Sequence, residues 1–196
     1  MGFLKGKTAI ITGGGRSVLK DGSCGSIGYG IATAYAKEGA NLVITGRNKQ
    51  KLADAKEELE RLYNIEVLPV QADVSAGVDN ETVVQNVIDE TIAKFGRINV
   101  LINNAQASAS GVAANEWGPD GINANIICPL AWTAQLENFQ QTYPEAFEAN
   151  VKMPPAGHYG DVEKEIGRVC VQLASPDFKY MNGETLTLEG GMGLRP

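Results

Sequence analysis

The chain repeats one pattern. Short, nearly unbroken apolar and β-branched runs end at glycine or polar residues, and each is followed by a longer segment whose apolar residues recur every three to four places. The first run, Thr8 to Thr12 in KTAIITGGG, predicts a fully buried parallel strand. SIGYGIATAYAKEGA then sets Ile27, Ile31, Ala34 and Tyr35 on one helical face and stops at Gly39, a residue suited to the position after a helix. NLVITG predicts a second strand. KQKLADAKEELERLY predicts a helix with Leu52, Ala55, Leu59 and Leu62 at helical spacing among solvating charges. EVLPVQAD predicts a third strand, which tolerates Pro69 only where no backbone donor is needed. ETVVQNVIDETIAKFG carries Val84, Val87, Ile88, Ile92 and Phe95 on a helix, and INVLINN predicts a fourth strand.

Beyond these, only VAANEW is helix-like before the strand INANIICP. A loop-rich piece runs from Leu130 to Gly160. DVEKEIGRVCVQLAS predicts a last helix capped by Asp161, and GETLTLEGG a last strand. Strict alternation of strand and helix implies right-handed crossovers and a parallel sheet covered on both faces, which is an α/β, doubly wound, Rossmann-like fold. With no repeats or low-complexity linkers, residues 1–196 are expected to form one dinucleotide-binding domain.

Composition narrows the ligand class. The 196 residues are 43% hydrophobic and carry a formal net charge of -6 without a Lys/Arg cluster, which argues against nucleic acid or an acidic membrane as partner and for a small molecule. MGFLKGKTAI enters a strand pattern directly, and no apolar run approaches membrane-spanning length, so a cytoplasmic location is expected. Cys24, Cys128 and Cys170 are scattered and His158 has no ligand set beside it. Neither a disulfide framework, nor a metal site, nor a Ser-His-Asp arrangement is expected.

TGGGRSVLKDGSCGSIGYG lies directly between a strand and an amphipathic helix, where a glycine turn and a helix N-terminus can present N–H groups to a pyrophosphate. Gly13 allows the tight turn and Ser26, Ile27 and Gly28 open the helix, with SVLKDGSCG standing between them as an insertion. At the end of the second strand Gly46 occupies the place of a ribose-binding acid, and Arg47 and Lys49 follow. That pattern favours a 2′-phosphate and hence NADP(H), although Arg47 could instead begin the solvated face of the next helix. Asp73, at the end of the third strand, could accept from an adenine amino group or cap a turn.

Taken in order, TGGGR with SIGYGIA, TGRN, ADVS, NNAQ, EWGPDGINANIICP and GETLTLEGG resemble the short-chain dehydrogenase/reductase family almost from end to end. The resemblance implies hydride transfer between NAD(H) or NADP(H) and an alcohol or carbonyl carbon, usually in a homotetramer. It places Gly13, Ser26 and Ile27 at the pyrophosphate, Arg47 at the 2′-phosphate, Asp73 and Val74 at the adenine, and Asn104 and Ala105 beside the ribose. Gln106 and Leu130 depart from the glycines the family has there, and Thr133 comes early for a contact to the nicotinamide amide. NNAQASASG, CPLAWTAQLENF and SPDFKYMNGETLTLEGGMG further resemble bacterial 12α-hydroxysteroid dehydrogenases, which act on bile acids. That likeness implies a steroid substrate under a mobile apolar lid, residues 134–158, with Leu136, Phe139, Tyr143, Phe147 and Met153. The same residues read by themselves could be an amphipathic helix on the core.

The chemistry of the family requires a tyrosine, a lysine four residues later to lower its pKa, and a serine on the preceding strand, because a phenol titrating near 10 is a poor base at neutral pH. Tyr29, Tyr35, Tyr63, Tyr143, Tyr159 and Tyr180 are followed at that spacing by Thr33, Gly39, Val67, Phe147, Glu163 and Glu184, so no catalytic set stands in these residues. A parallel crossover also needs about a dozen residues or more. Between Asn104 and Ile122 only VAANEW is helix-like, which is too short for a helix that spans the sheet, and the family's AANEWGPDGI-like motif closes the helix that bears its tyrosine and lysine. One strand and most of two helices are therefore expected to be absent between Gly111 and Ala113. A disordered segment left out of these 196 residues, a deliberate deletion and a natural truncation each account for the seam. The first is favoured, since a natural loss would uncover helix faces and empty a buried sheet position at a cost beyond the usual stability of about 5–15 kcal/mol. A catalytically inactive nucleotide-binding pseudoenzyme is the alternative function, and an enoyl-reductase-like enzyme, prompted by the enlarged glycine loop, a weaker one.

Overall fold

The computed structural model describes residues 2–73, 80–104 and 110–193. Four parallel strands, β1 (Thr8–Thr12), β2 (Asn41–Gly46), β3 (Val67–Gln71) and β4 (Val100–Ile102), form a sheet in the order β3-β2-β1-β4. Helices α1 (Ile27–Lys37) and α2 (Lys49–Tyr63) return the chain across one face, and α3 (Asn80–Phe95) across the other. The pleat divides the strands accordingly. Ala9, Ile11, Leu42 and Ile44 join α1 and α2 in the larger core, while Ile10, Val43 and Val70 meet Val87 of α3. The order therefore reverses between β1 and β4, which is where ligands enter sheets of this type.

Local chemistry accounts for these elements. α1 ends at Glu38 and turns out through Gly39 at φ 83°, and α2 begins at Asn48, whose side chain accepts from the Lys51 N–H. Pro69 pairs in register with Ile44 on β3, an edge strand, so its missing donor breaks no ladder on the far side. α1 is buried on nearly every side, beyond the single face the periodicity predicts, because a second layer packs over it. That layer is the segment Val162–Gly167, wound as a π-helix, and the following α7 (Arg168–Leu173). A Cβ on Gly30 would lie 2.4 Å from the Val162 carbonyl oxygen and one on Gly167 2.9 Å from the Ala34 Cβ, so two glycines bring these backbones together.

After β4 the sheet breaks. α4 (Ser110–Trp117) and a 3₁₀ turn lead to β5 (Ile126–Pro129), which pairs in parallel with β6 (Thr185–Leu188) as a separate two-stranded sheet. Among the described residues no strand joins β4 to β5. Leu101 in the middle of β4 is 57% exposed, Ile122 49% and Trp117 46%, whereas β1 is buried throughout. Strands of a complete parallel sheet are covered on both faces. The short step that predicts a missing strand and two missing helices thus corresponds to an uncovered gap.

Two expectations change. Leu62 is half exposed while Leu52, Ala55 and Leu59 of the same helix are buried, and Val84 and Ile92 of α3 lie outside the packed stripe. Residues 130–160 are not mostly loop: they hold α5 (Ala134–Thr142), capped by the Thr133 hydroxyl, and α6 (Pro144–Asn150).

Candidate functional site

The C-terminal ends of β1 and β4 meet the start of α1 at one point. Gly13 leaves β1 at φ 72°, and the Gly13 and Gly14 N–H groups both donate to the Thr45 carbonyl of β2, at 2.9 and 3.1 Å, folding the turn back over the strand ends. The Asn104 amide donates to the Thr12 carbonyl at 3.0 Å. A Cβ on Gly28 would lie 2.3 Å from the Gly13 carbonyl oxygen and 2.8 Å from Asn104 Nδ2, so only glycine lets α1 begin this close to the turn. The first N–H groups of α1 have no intrahelical partners, and the Ser26 side chain does not cap them. This is a cradle of outward backbone donors on the positive end of a helix dipole, which fits a diphosphate.

The residues between the glycines are folded. Val18 bridges Cys24 in antiparallel fashion, Leu19 N–H donates to Ser23 O, and Gly25 N–H to Ser17 O, making a small hairpin of the insertion. Arg16 is committed to Glu58 of α2, Nε to Oε2 at 2.8 Å, and the Tyr29 hydroxyl donates to the other oxygen at 2.5 Å. Burial pushes the Glu58 carboxyl up, but the bonds from Tyr29 and Arg16 outweigh it and hold it below the ordinary carboxylate value. Arg47, by contrast, is exposed at the end of β2 and makes no side-chain bond among the described residues. Asp73 is half-buried just beyond β3. Gly13, Ser26, Ile27 and Asn104 are thus brought together at the switch point, with Arg47 and Asp73 along the same strand ends. Val74 and Ala105 lie outside the described residues.

A second feature opens beyond β5. A cavity of about 400 Å³ has apolar walls from Leu130, Leu136, Val151 and Met192. Tyr159, Asn150 and Lys152 supply its polar groups. The Gly25 carbonyl accepts from Ala134 N–H at 2.8 Å, so the glycine loop holds the first turn of α5 above this cavity. Behind it Trp132, Phe139, Tyr143, Phe147 and Tyr159 form a chain of ring contacts with centroids about 6 Å apart. Of the lid residues expected from sequence, Leu136 reaches the cavity, Phe139, Tyr143 and Phe147 pack with each other and Trp132, and Met153 is exposed. Tyr159 and Lys152 carry no periodic signal and were not foreseeable as its lining. Thr133 is occupied as the cap of α5, accepting from Leu136 N–H at 3.3 Å.

Tyr29, Tyr35 and Tyr63 are shifted away from the activated state a base would need. Burial raises the Tyr29 and Tyr35 phenols, Tyr29 further through Glu58, and burial also raises Tyr63 despite Lys37 nearby. The Tyr35 hydroxyl donates to Cys170 O at 2.8 Å and that of Tyr159 to Lys152 O at 2.8 Å. The Cys24 and Cys170 thiols are pushed up by burial to about 11. His158, exposed, bonds Glu165 at 2.9 Å.

A family model described as short chain dehydrogenase matches residues 7–113, and one described as Enoyl-(Acyl carrier protein) reductase matches residues 107–193. The chain belongs to the short-chain dehydrogenase family of oxidoreductases. A 12alpha-hydroxysteroid dehydrogenase from Clostridium sp. is 49% identical over 266 positions, with 100% of each chain covered. Since this chain supplies 196 residues, at least 70 of those positions face a gap. The two family models meet at residues 107–113, around the seam. L-sorbose reductase from Gluconobacter frateurii, complexed with NADPH and L-sorbose, superposes with a TM-score of 0.81 at 20% identity over 98% of each chain. A hydroxysteroid dehydrogenase from Escherichia coli gives 0.76 at 20% identity over 96% of each. At that identity the structures establish the shared fold.

Proposed function

We propose that the protein is an NADP(H)-dependent oxidoreductase acting on a secondary alcohol or ketone of a hydroxysteroid, a bile acid with a 12α-hydroxyl. The observation that carries this reading is the 49% identity, along the whole of both chains, to a 12alpha-hydroxysteroid dehydrogenase. Gly13, Ser26 and Ile27 would hold the diphosphate, Arg47 the 2′-phosphate, Asp73 and Val74 the adenine, and Asn104 and Ala105 the ribose. The bound nicotinamide would supply the hydride acceptor or donor at its C4. The donor cradle, an Arg47 side chain that makes no bond among the described residues and the NADPH named for the sorbose reductase support the phosphorylated cofactor. Residues 1–196 act as one domain, and the serine, tyrosine and lysine that exchange the hydroxyl proton belong to the segment that these residues lack. The uncovered apolar side chains of α3, β4 and α4 suit burial by that segment or in a homo-oligomer. Among the described residues no helix is long and apolar enough to cross a membrane, which is compatible with a cytoplasmic enzyme.

The second reading is a nucleotide-binding pseudoenzyme. It is favoured by the tyrosines, none of which has a lysine at the required spacing. Enoyl reduction is suggested by the description of the second family model, but the full-length relative and the Asn103–Gln106 sequence speak against it. Intact mass and turnover together decide. A mass several kDa above 20.8 kDa with turnover of cholate-type over simple alcohols is expected; a mass of 20.8 kDa with NADPH binding and no turnover would establish the pseudoenzyme.

A further inference from the structure

We infer that Lys152 anchors an acid group on the substrate, so that the cavity beyond β5 selects anionic apolar molecules over neutral ones of the same shape. This rests on the hydroxysteroid reading and names the residue that would recognise one end of the ligand. The volume of about 400 Å³ lies in the range of small-ligand sites, and its lining is aliphatic apart from Thr133, Asn150, Tyr159 and one charged residue, Lys152. An apolar body therefore fits the walls, and a single negative group fits the one cation. Lys152 makes no ion pair or side-chain hydrogen bond among the described residues, unlike Lys37, Lys56, Lys94 and Lys164, each of which faces a carboxylate. Its backbone is fixed: the Lys152 carbonyl accepts from the Tyr159 hydroxyl at 2.8 Å, and Tyr159 itself lines the cavity and packs on Trp132. The backbone that carries Lys152 is thus held by a ring that also lines the cavity. Asn150, beside it, can donate a second hydrogen bond to a carboxylate. An ammonium on a held backbone, with no carboxylate partner among the described residues, is suited to a charge-assisted bond with a carboxylate or sulfonate.

The test compares cholate with its neutral methyl ester, by titration calorimetry in the presence of NADPH, on the wild-type chain and on K152M and K152R. We expect K152M to weaken cholate about tenfold, the size of one charge-assisted bond. The methyl ester should be unaffected, and K152R should restore most of the cholate affinity. Equal loss for acid and ester, or no loss for either, would overturn the role of Lys152 while leaving the steroid reading intact. Failure of the wild-type chain to bind either compound would overturn both. An unchanged NADPH affinity in K152M checks that the variant is folded.

Discussion

Replacing Gly28 by alanine tests the cradle at the switch point. The new Cβ would sit 2.3 Å from the Gly13 carbonyl oxygen and 2.8 Å from Asn104 Nδ2, and contacts below 3.0 Å essentially do not occur. The turn and the helix must part by about 0.7 Å, at an overpacking cost of about 1–3 kcal/mol. Alanine regains up to about 1 kcal/mol as the better helix former, so global stability should fall by no more than about 3 kcal/mol. Cofactor affinity should fall further, because the displacement falls on the donors that would face the diphosphate under the proposed function and on the Asn104 bond to Thr12 O. A loss of about tenfold to a hundredfold in NADPH affinity corresponds to about 1.4–2.7 kcal/mol. Fluorescence titration of NADPH beside a thermal melt separates the two effects. Binding by G28A within twofold of wild type would refute the view that this contact shapes the site.

Arg47→Ala should weaken NADP(H) much more than NAD(H), since the arginine would meet only the 2′-phosphate; equal losses in a binding titration would reject the assignment. Asp161→Ala should lower stability by about 1 kcal/mol in chemical unfolding, because the carboxylate accepts from the Glu163 and Lys164 N–H groups at 2.9 and 2.8 Å. Glu165, and then the Ala156 carbonyl, raise the His158 imidazole above its ordinary value. The stabilisation it brings is therefore full below the unfolded value of about 6.5 and is lost as pH rises through the higher folded value. Melting-temperature differences between wild type and H158Q should shrink across that window; a pH-independent gap would show that the ion pair contributes nothing. The chain of 20.8 kDa alone, with Leu101, Ile122 and Trp117 uncovered, should bind a hydrophobic dye and self-associate, and a dye-silent monomer in light scattering would contradict that picture.

The order of strands and helices was legible from periodicity because each element pays its own local rules. β-branched runs mark β1 and β2, Gly39 marks a helix end, and Asp161 marks a cap. The glycine turn was legible because its type and place between strand and helix leave little else for it to do. The seam was legible too, as a connection whose one helix-like piece, VAANEW, is too short to span the sheet, and the alignment of 196 residues against 266 positions agrees with it. Arg47 and Asp73 could be placed at strand ends from sequence, but their occupancy could not: Arg16 carries the same charge as Arg47, and only the fold ties it to Glu58 and leaves Arg47 open.

What the sequence by itself determined is therefore whatever depends on neighbours in the chain: the elements, their ends, the glycine-rich turn and the absence of a tyrosine with its lysine. The tertiary structure alone decided what depends on distant residues meeting. It closed Gly28 against Gly13 and Asn104, set Lys152 and Tyr159 around one cavity, made α1 buried on all sides and left β4 bare. Periodicity records which face of an element is apolar, but which other surface arrives to cover that face is settled only when the chain closes on itself.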